Sequence, residues 1–204
     1  MFVEINAQNP DDRLIQDIVD ILNKGGIIIY PTDSVYAFGC SLMHKRAIEQ
    51  LAKLKGLKLK KANFSLICYD LSTLSEYTKY IDRPTYKILN KNLPGPFTFI
   101  LNASNKIPKL FDTNKKTVGI RIPDHTIVRE IVRQLGHPLV TTSLHDEDEI
   151  IDYTTDPYQI MEDWESKVDA IIDGGYGNNE PSTVVDCSND GIEIIRQGIG
   201  ELDY

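Results

Sequence analysis

The chain has 204 residues, 41% hydrophobic and 25% charged, and 22 basic against 30 acidic side chains give a formal net charge of −8. That length fits one large or two small domains, and the composition excludes a wholly disordered or collagen-like chain. No apolar run approaches the roughly 20 residues that span a membrane, and the N-terminus MFVEINAQNPDDR lacks the basic and apolar regions of a secretory signal.

Three widely spaced cysteines, Cys40, Cys68 and Cys187, form no CxxC pair. They argue against a disulfide framework or zinc site and for a reducing cytoplasm, with Cys40 and Cys68 expected as small core residues. The charge is uneven: residues 1–143 carry a net +7 and residues 144–204 a net −15. Lys53, Lys55, Lys58, Lys60 and Lys61 form the densest basic cluster. It suits a nucleotide triphosphate or an RNA backbone, or else a solvated helix end that complements the helix dipole.

No repeat or linker interrupts the chain, so a single domain over residues 1–204 is expected. A short strand near Val3–Ile5 precedes a helix that Asn9-Pro10 would cap and start. Leu14, Ile15, Ile18, Val19, Ile21 and Leu22 give that helix its apolar face, and Gly25-Gly26 stops it. Ile27–Tyr30 reads as a strand buried on both faces. The pattern then predicts a helix at 44–54, a strand at 65–68, a helix at 83–91, and strands at 97–101 and 118–121. A helix at 126–135, a strand at 139–142, a helix at 156–167, and strands at 170–172, 183–186 and 193–196 follow. Strands mixed with helices in this way indicate an α/β domain with a mixed central sheet.

Polar segments sit at the ends of these strands, where α/β sheets build ligand sites. Tyr30-Pro31-Thr32-Asp33-Ser34-Val35-Tyr36 places hydroxyls and a carboxylate after the isoleucine strand, although the same residues also favour plain turns. Lys53-Leu54-Lys55-Gly56-Leu57-Lys58, leading into Asn63, puts lysines beside a glycine at a helix end, an arrangement that suits phosphate because the ammonium acts as a point charge. The spacing is not that of a Walker A loop. Arg121 closes the strand Thr117-Val118-Gly119-Ile120-Arg121, either to grip a carboxylate or phosphate through two parallel bonds or to form an internal salt bridge. Thr141-Thr142-Ser143-Leu144-His145, Pro181-Ser182-Thr183 and Ile194-Ile195-Arg196 add hydroxyls and a second guanidinium.

Elsewhere the chemistry is sparse. His44, His125, His137 and His145 show no metal-ligand spacing, and His125 and His137 are expected at the surface. Asp146–Glu149, with Asp152 and Asp156, could hold magnesium but reads better as a solvated loop.

In order, GGIIIYPTDSVYAFG, KLKGLK, PGPFTFIL, TVGIRIPDH, TTSLH, IIDGGYGNNEPSTVVD and IIRQGIG resemble the YrdC/YciO family over residues 20–200. The resemblance implies one α/β domain whose twisted mixed sheet, flanked by helices, carries a large concave cavity. It also implies synthesis of L-threonylcarbamoyladenylate from L-threonine, bicarbonate or CO2, and ATP, with release of pyrophosphate, as a step toward threonylcarbamoyladenosine in tRNA. By that resemblance Arg121 would hold the threonine carboxylate, and Thr32 and Ser182 would line the threonine pocket. Lys55, Asn63, Thr117, Ser143 and Arg196 would face the nucleotide, and Mg2+ would be bound mainly by phosphates and water. No residue is assigned a covalent catalytic role, because positioning and charge compensation carry such transfers. Double-stranded RNA or tRNA binding through Lys55, Lys58, Lys60 and Lys61, without turnover, is the alternative.

Three positions depart from the synthase branch, and two of them, Leu57 and the Thr-Ser-Leu segment, resemble the YciO branch instead. Lys-x-Arg becomes Lys55-Gly56-Leu57, Ser-Ala-Asn becomes Ser143-Leu144-His145, and Tyr69 stands where a strand histidine would lie near the threonine pocket.

Overall fold

The structure, a computed structural model, describes residues 1–59, 62–107, 116–144, 155–189 and 191–204. In chain order the elements are β1 (Phe2–Glu4), α1 (Asp12–Asn23), β2 (Ile27–Tyr30), β3 (Ala37–Ser41), α2 (Lys45–Leu54), β4 (Ser65–Ile67), α3 (Leu71–Tyr77) and α4 (Arg83–Asn92). There follow β5 (Phe97–Asn102), β6 (Thr117–Arg121), α5 (Thr126–Leu135), β7 (Leu139–Ser143), α6 (Pro157–Trp164), β8 (Ala170–Asp173), β9 (Thr183–Asp186) and β10 (Glu193–Arg196).

Helix starts follow capping chemistry. The N-cap of α1 is Asp11, whose carboxylate accepts from the Arg13 N–H at 2.8 Å, so the helix begins two residues later than Asn9-Pro10 predicts. Its end is as expected, with Gly25 at φ +84° in the left-handed region just beyond the last turn. Two elements were not anticipated. The seven-residue α3 depends on Asp70, which accepts from both the N–H and the hydroxyl of Thr73. Strand β3, Ala-Phe-Gly-Cys-Ser, is small and weakly β-forming, yet it is buried throughout.

Among the described residues all ten strands join one mixed sheet in the order β1-β8-β2-β3-β7-β4-β6-β5-β9-β10. On one face Phe38, Cys40, Leu66, Phe99, Ile120 and Val140 pack against apolar residues of α2, α3, α4 and α6. On the other, Ile28, Ala37, Ile67, Leu139 and Ile172 pack under α1 and α5. Those two helices do not cover that whole face. Along β5, Phe97, Phe99 and Leu101 are buried while Thr98, Ile100 and Asn102 are half-buried, and Ser65, Thr117, Gly119 and Ser143 are likewise half-buried. Cys40 and Cys68 lie in the core as expected; burial pushes the Cys40 thiol up to about 12 and moves Cys68 the same way.

Gly39 lets the centre of the sheet close. It pairs with Ile28 on one side and Thr141 on the other, and the Tyr30 ring lies across it to bring its hydroxyl 2.6 Å from Thr141 Oγ1. A Cβ at position 39 would stand 2.6 Å from Tyr30 Cε1. Gly39→Ala is therefore expected to lower stability by about 1–3 kcal/mol through overpacking. Urea unfolding at constant m-value would check it, and an unchanged midpoint would refute it.

Candidate functional site

The most buried charge in the sheet is Arg121, at the C-terminal end of β6. Its Nη2 donates to Asp33 Oδ1 at 2.9 Å and to Ser34 Oγ at 2.9 Å. The Arg121 and Asp33 side chains are only 8% and 9% exposed, so this is an interior ion pair. Asp33 Oδ2 accepts from the Asp124 N–H at 2.7 Å, and the Asp33 carbonyl accepts from Asn178 Nδ2 at 3.2 Å. Thr32 completes the turn from within: its hydroxyl donates to the Val35 carbonyl at 2.8 Å and accepts from the Ser34 N–H at 3.0 Å.

Of the two readings open for Arg121, the structure displays the internal salt bridge. Both two-bond edges of a guanidinium pass through Nη2, and both protons of Nη2 are already engaged. Arg121 Nε is buried with no hydrogen-bond partner. The expected fork is thus half-occupied by the protein itself, and Nη1 takes part in neither of these bonds.

Sheet register arranges the other residues. Thr141 pairs with Ser65 and Ser65 with Gly119, so all three share one face. Gly119 also pairs with Ile100, which places Thr98 on that face too, because side chains alternate with period two. A Cβ at Gly119 would lie 2.5 Å from Ser65 Oγ, so the glycine keeps this floor low. The result is a polar trough floored by Ser65, Gly119 and Thr98, which are half-buried, and by Thr141, which is buried.

The trough has two ends. At one, Thr98 lies level with Arg121 by continuation of the β5–β6 register, and its Oγ1 is 2.9 Å from Ser182 Oγ. Arg196 Nη2 donates to the Ser182 carbonyl at 2.9 Å. The structure therefore sets Arg196 beside Ser182, at the Arg121 end, and not with the other residues expected on the nucleotide. At the opposite end, Thr117 and Ser143 occupy the ends of β6 and β7, and the register carried two residues further puts Asn63 level with both. Lys55, the C-cap of α2, reaches the Leu144 carbonyl at 3.5 Å. Four residues of β6 separate the ends, about 13 Å at ~3.3 Å per residue.

Lys53 and Lys58 are exposed, while Lys60, Lys61, His145, Asp146–Glu149 and Asp152 lie outside the described residues. Asp156 caps α6 by accepting from the Tyr158 N–H. Among the described residues no three His, Cys, Asp or Glu side chains are placed to hold a metal ion, and no helix is long and apolar enough to cross a membrane. A cavity of about 380 Å³ lies between Thr78–Asp82 and Cys187–Asn189, and none of the expected site residues lines it. Leu57 is 42% exposed. Tyr69 lies under Arg129, whose guanidinium carbon is 5.2 Å from the ring centroid.

The residues that sequence reasoning did not assign are Asp33, Ser34, Ser65, Thr98 and Thr141. A signal for Thr98 exists in the alternation of Phe97-Thr98-Phe99-Ile100-Leu101-Asn102. For Asp33 the signal is the rule that a buried arginine needs an acid, and this acid stands in the first polar segment.

A mixed α/β sheet with one polar, half-covered face between a guanidinium end and a lysine-bearing end defines an α/β protein of the kind that seats ligands at strand ends. Residues 20–198 match the Sua5/YciO/YrdC family, described as "Telomere recombination", and the chain belongs to that family. A protein of Haemophilus influenzae is 41% identical over 200 residues, covering 98% of this chain and 96% of its own. YciO of Escherichia coli is 38% identical over 203 residues, covering 98% and 97%. Its crystal structure matches with a TM-score of 0.90 at 37% identity, over 98% of this chain and 97% of that one. P. abyssi Sua5 complexed with L-threonine has the same fold, with a TM-score of 0.86 at 22% identity over 97% of this chain and 57% of that chain.

Two histidines depart from the surface expectation. His125 caps α5 without a side-chain hydrogen bond and is half-buried; its Nδ1 is enclosed and unpartnered. Burial holds its pKa below the usual 6.5, against an upward pull from Asp33 and Asp124. Burial lowers His137 as well, opposed by its bond to the Pro138 carbonyl. With folded values below the unfolded one, the unfolded chain binds more protons on acidification. Their contribution to stability is full above about pH 6.5 and is lost as the pH falls through the lowered folded values. Unfolding free energies measured from pH 8 to 5 should decline, and less steeply in His137→Gln; identical slopes would contradict this.

Proposed function

We propose that the chain is an ATP-dependent L-threonylcarbamoyladenylate synthase or a close relative acting on that intermediate, which serves threonylcarbamoyl modification of tRNA. The observation that carries this reading is the two-ended trough: a buried guanidinium with Ser182 and Thr98 at one end, and Thr117, Ser143 and Lys55 about 13 Å away at the other. Family membership and the shared fold with threonine-complexed P. abyssi Sua5 support it.

In this reading the threonine amine captures CO2 as a carbamate. A carbamate oxygen attacks the α-phosphorus of ATP, the phosphoanhydride bond breaks, and pyrophosphate leaves. Side chains hold and neutralise rather than bond. Arg121 meets the threonine carboxylate through Nη1, Ser182 and Thr98 flank the amino acid, and Thr32 shapes the turn that carries Asp33 and Ser34. Lys55, Asn63, Thr117 and Ser143 face the nucleotide, while Arg196 stands beside Ser182 at the other end. Mg2+ offsets phosphate charge and is held by phosphates and water.

Leu57 leaves the triphosphate one cation short relative to the synthase branch. A hydrogen bond to a charged group contributes about 1.5–3 kcal/mol, so Leu57→Arg is expected to tighten ATP binding about tenfold or more. Purified protein incubated with ATP, L-threonine, bicarbonate and Mg2+ should yield the adenylate by chromatography, and Leu57→Arg should yield it at lower ATP. Absence of product from both at high enzyme, beside an active synthase control, would sink the reading.

A second reading, binding of double-stranded RNA or tRNA without turnover, draws on the exposed Lys53 and Lys58 flanking the α2 end, with Lys55, Lys60 and Lys61 in the same cluster. Phosphate contacts release counterions, so such binding should weaken steeply with salt. Affinity that is insensitive to salt, or unchanged by Lys→Ala at 55, 58, 60 and 61, would remove it.

A further inference from the structure

Arg121 is the charged group on which the proposed amino-acid end depends, yet nothing about β6 alone determines how it is presented. A guanidinium on a strand end can turn about four side-chain bonds. Here two contacts from another part of the chain remove that freedom. Asp33 and Ser34 take the two protons of Nη2, both at 2.9 Å. Asp33 is itself pinned at its second oxygen by the Asp124 N–H at 2.7 Å, and Ser34 Oγ lies 3.1 Å from Thr32 Oγ1. The plane of the guanidinium is thereby set, Nε is shut away from solvent without a partner, and Nη1 is the end left for an incoming anion.

We infer that Asp33 is a positioning residue: through Nη2 of Arg121 it fixes the guanidinium so that an amino-acid carboxylate is met by Nη1, as a directed charge rather than a two-bond fork. This rests on the amino-acid-binding reading above and adds to it the residue that determines its geometry. The alternative role for Asp33 is a resident carboxylate that competes with the ligand for Arg121. The two roles differ in sign. Removing a competitor strengthens binding of an incoming carboxylate, whereas removing a positioning group weakens it.

The experiment measures dissociation constants for L-threonine and for ATP by calorimetry in the wild type, Asp33→Asn and Ser34→Ala. It also follows hydrogen exchange at the Arg121 Nε–H by NMR in the ligand-free proteins, with the signal assigned by its loss in Arg121→Lys. Asp33→Asn is expected to weaken threonine at least tenfold while ATP changes less than twofold, and to turn a slowly exchanging Nε–H into a rapidly exchanging one. Ser34→Ala, which leaves no buried charge unpaired, is expected to move both readouts in the same direction by two- to fivefold. It decides the matter if Asp33→Asn does not fold. Equal losses for threonine and ATP would mark Asp33 as merely structural, and tighter or unchanged threonine binding would overturn the inference. If the wild type binds no threonine, the amino-acid reading itself falls; the exchange rate of the Arg121 Nε–H then decides whether Asp33 fixes the guanidinium.

Discussion

One buried ion pair, Arg121 with Asp33, joins the end of β6 to the turn after β2. In the sheet those strands are separated by β3, β7 and β4. The β2–β3 turn reaches across those strands to the end of β6, and the pair holds it there. Losing either partner would strand the other charge in the interior, which costs about 3–5 kcal/mol. Ser34, Thr32 and the Asp124 N–H extend the pair into a hydrogen-bonded polar network that helps satisfy the buried charges.

The two faces of the sheet solve different problems. Against α2, α3, α4 and α6 the face is apolar across its width, and it holds most of the large buried side chains. Against α1 and α5 it is apolar only beneath those helices. Beyond them Thr98, Ser65, Gly119 and Ser143 carry small polar or absent side chains, which can stay half-buried without stranding apolar surface. Two hydroxyls of this strip are hydrogen-bonded, Thr98 with Ser182 and Thr141 to the Phe38 carbonyl. The strip thus offers polar groups along the length of β6.

Much of this was legible before any coordinates. The isoleucine run of β2, the apolar stripe of α5 and the β-branched β9 each depend on a local period that the sequence displays directly. Strand β3 was not legible because Gly39 and Cys40 have little β propensity; it forms because β2 and β7 supply partners on both sides. Helix α3 is too short for a periodic signal and depends on the Asp70 cap. At the site, Arg121 is visible as a charge that ends an apolar strand and needs an acid, whereas which acid it takes, 88 residues earlier, is a matter of tertiary structure. The grouping of Arg196 with Ser182 has the same origin. It follows from the parallel pairing of β5 with β9, and strand order is a long-range property that no local pattern encodes.

The two ends of the trough differ in how firmly they are built, and this bears on which can vary. The Arg121 end is buried, multiply hydrogen-bonded and tied to the turn after β2, so a substitution there perturbs folding. The lysine end is a surface turn. Gly56 sits at φ +65° with open space around it, and Leu57 and Lys58 project from the same turn into solvent. Segments with few buried contacts open at low free energy and accept substitution with little loss of stability. Leu57 and Lys58 can therefore vary with little effect on the fold or on the Arg121 end. Variation at the lysine end around a constant Arg121 end is the outcome this architecture permits at least cost to folding.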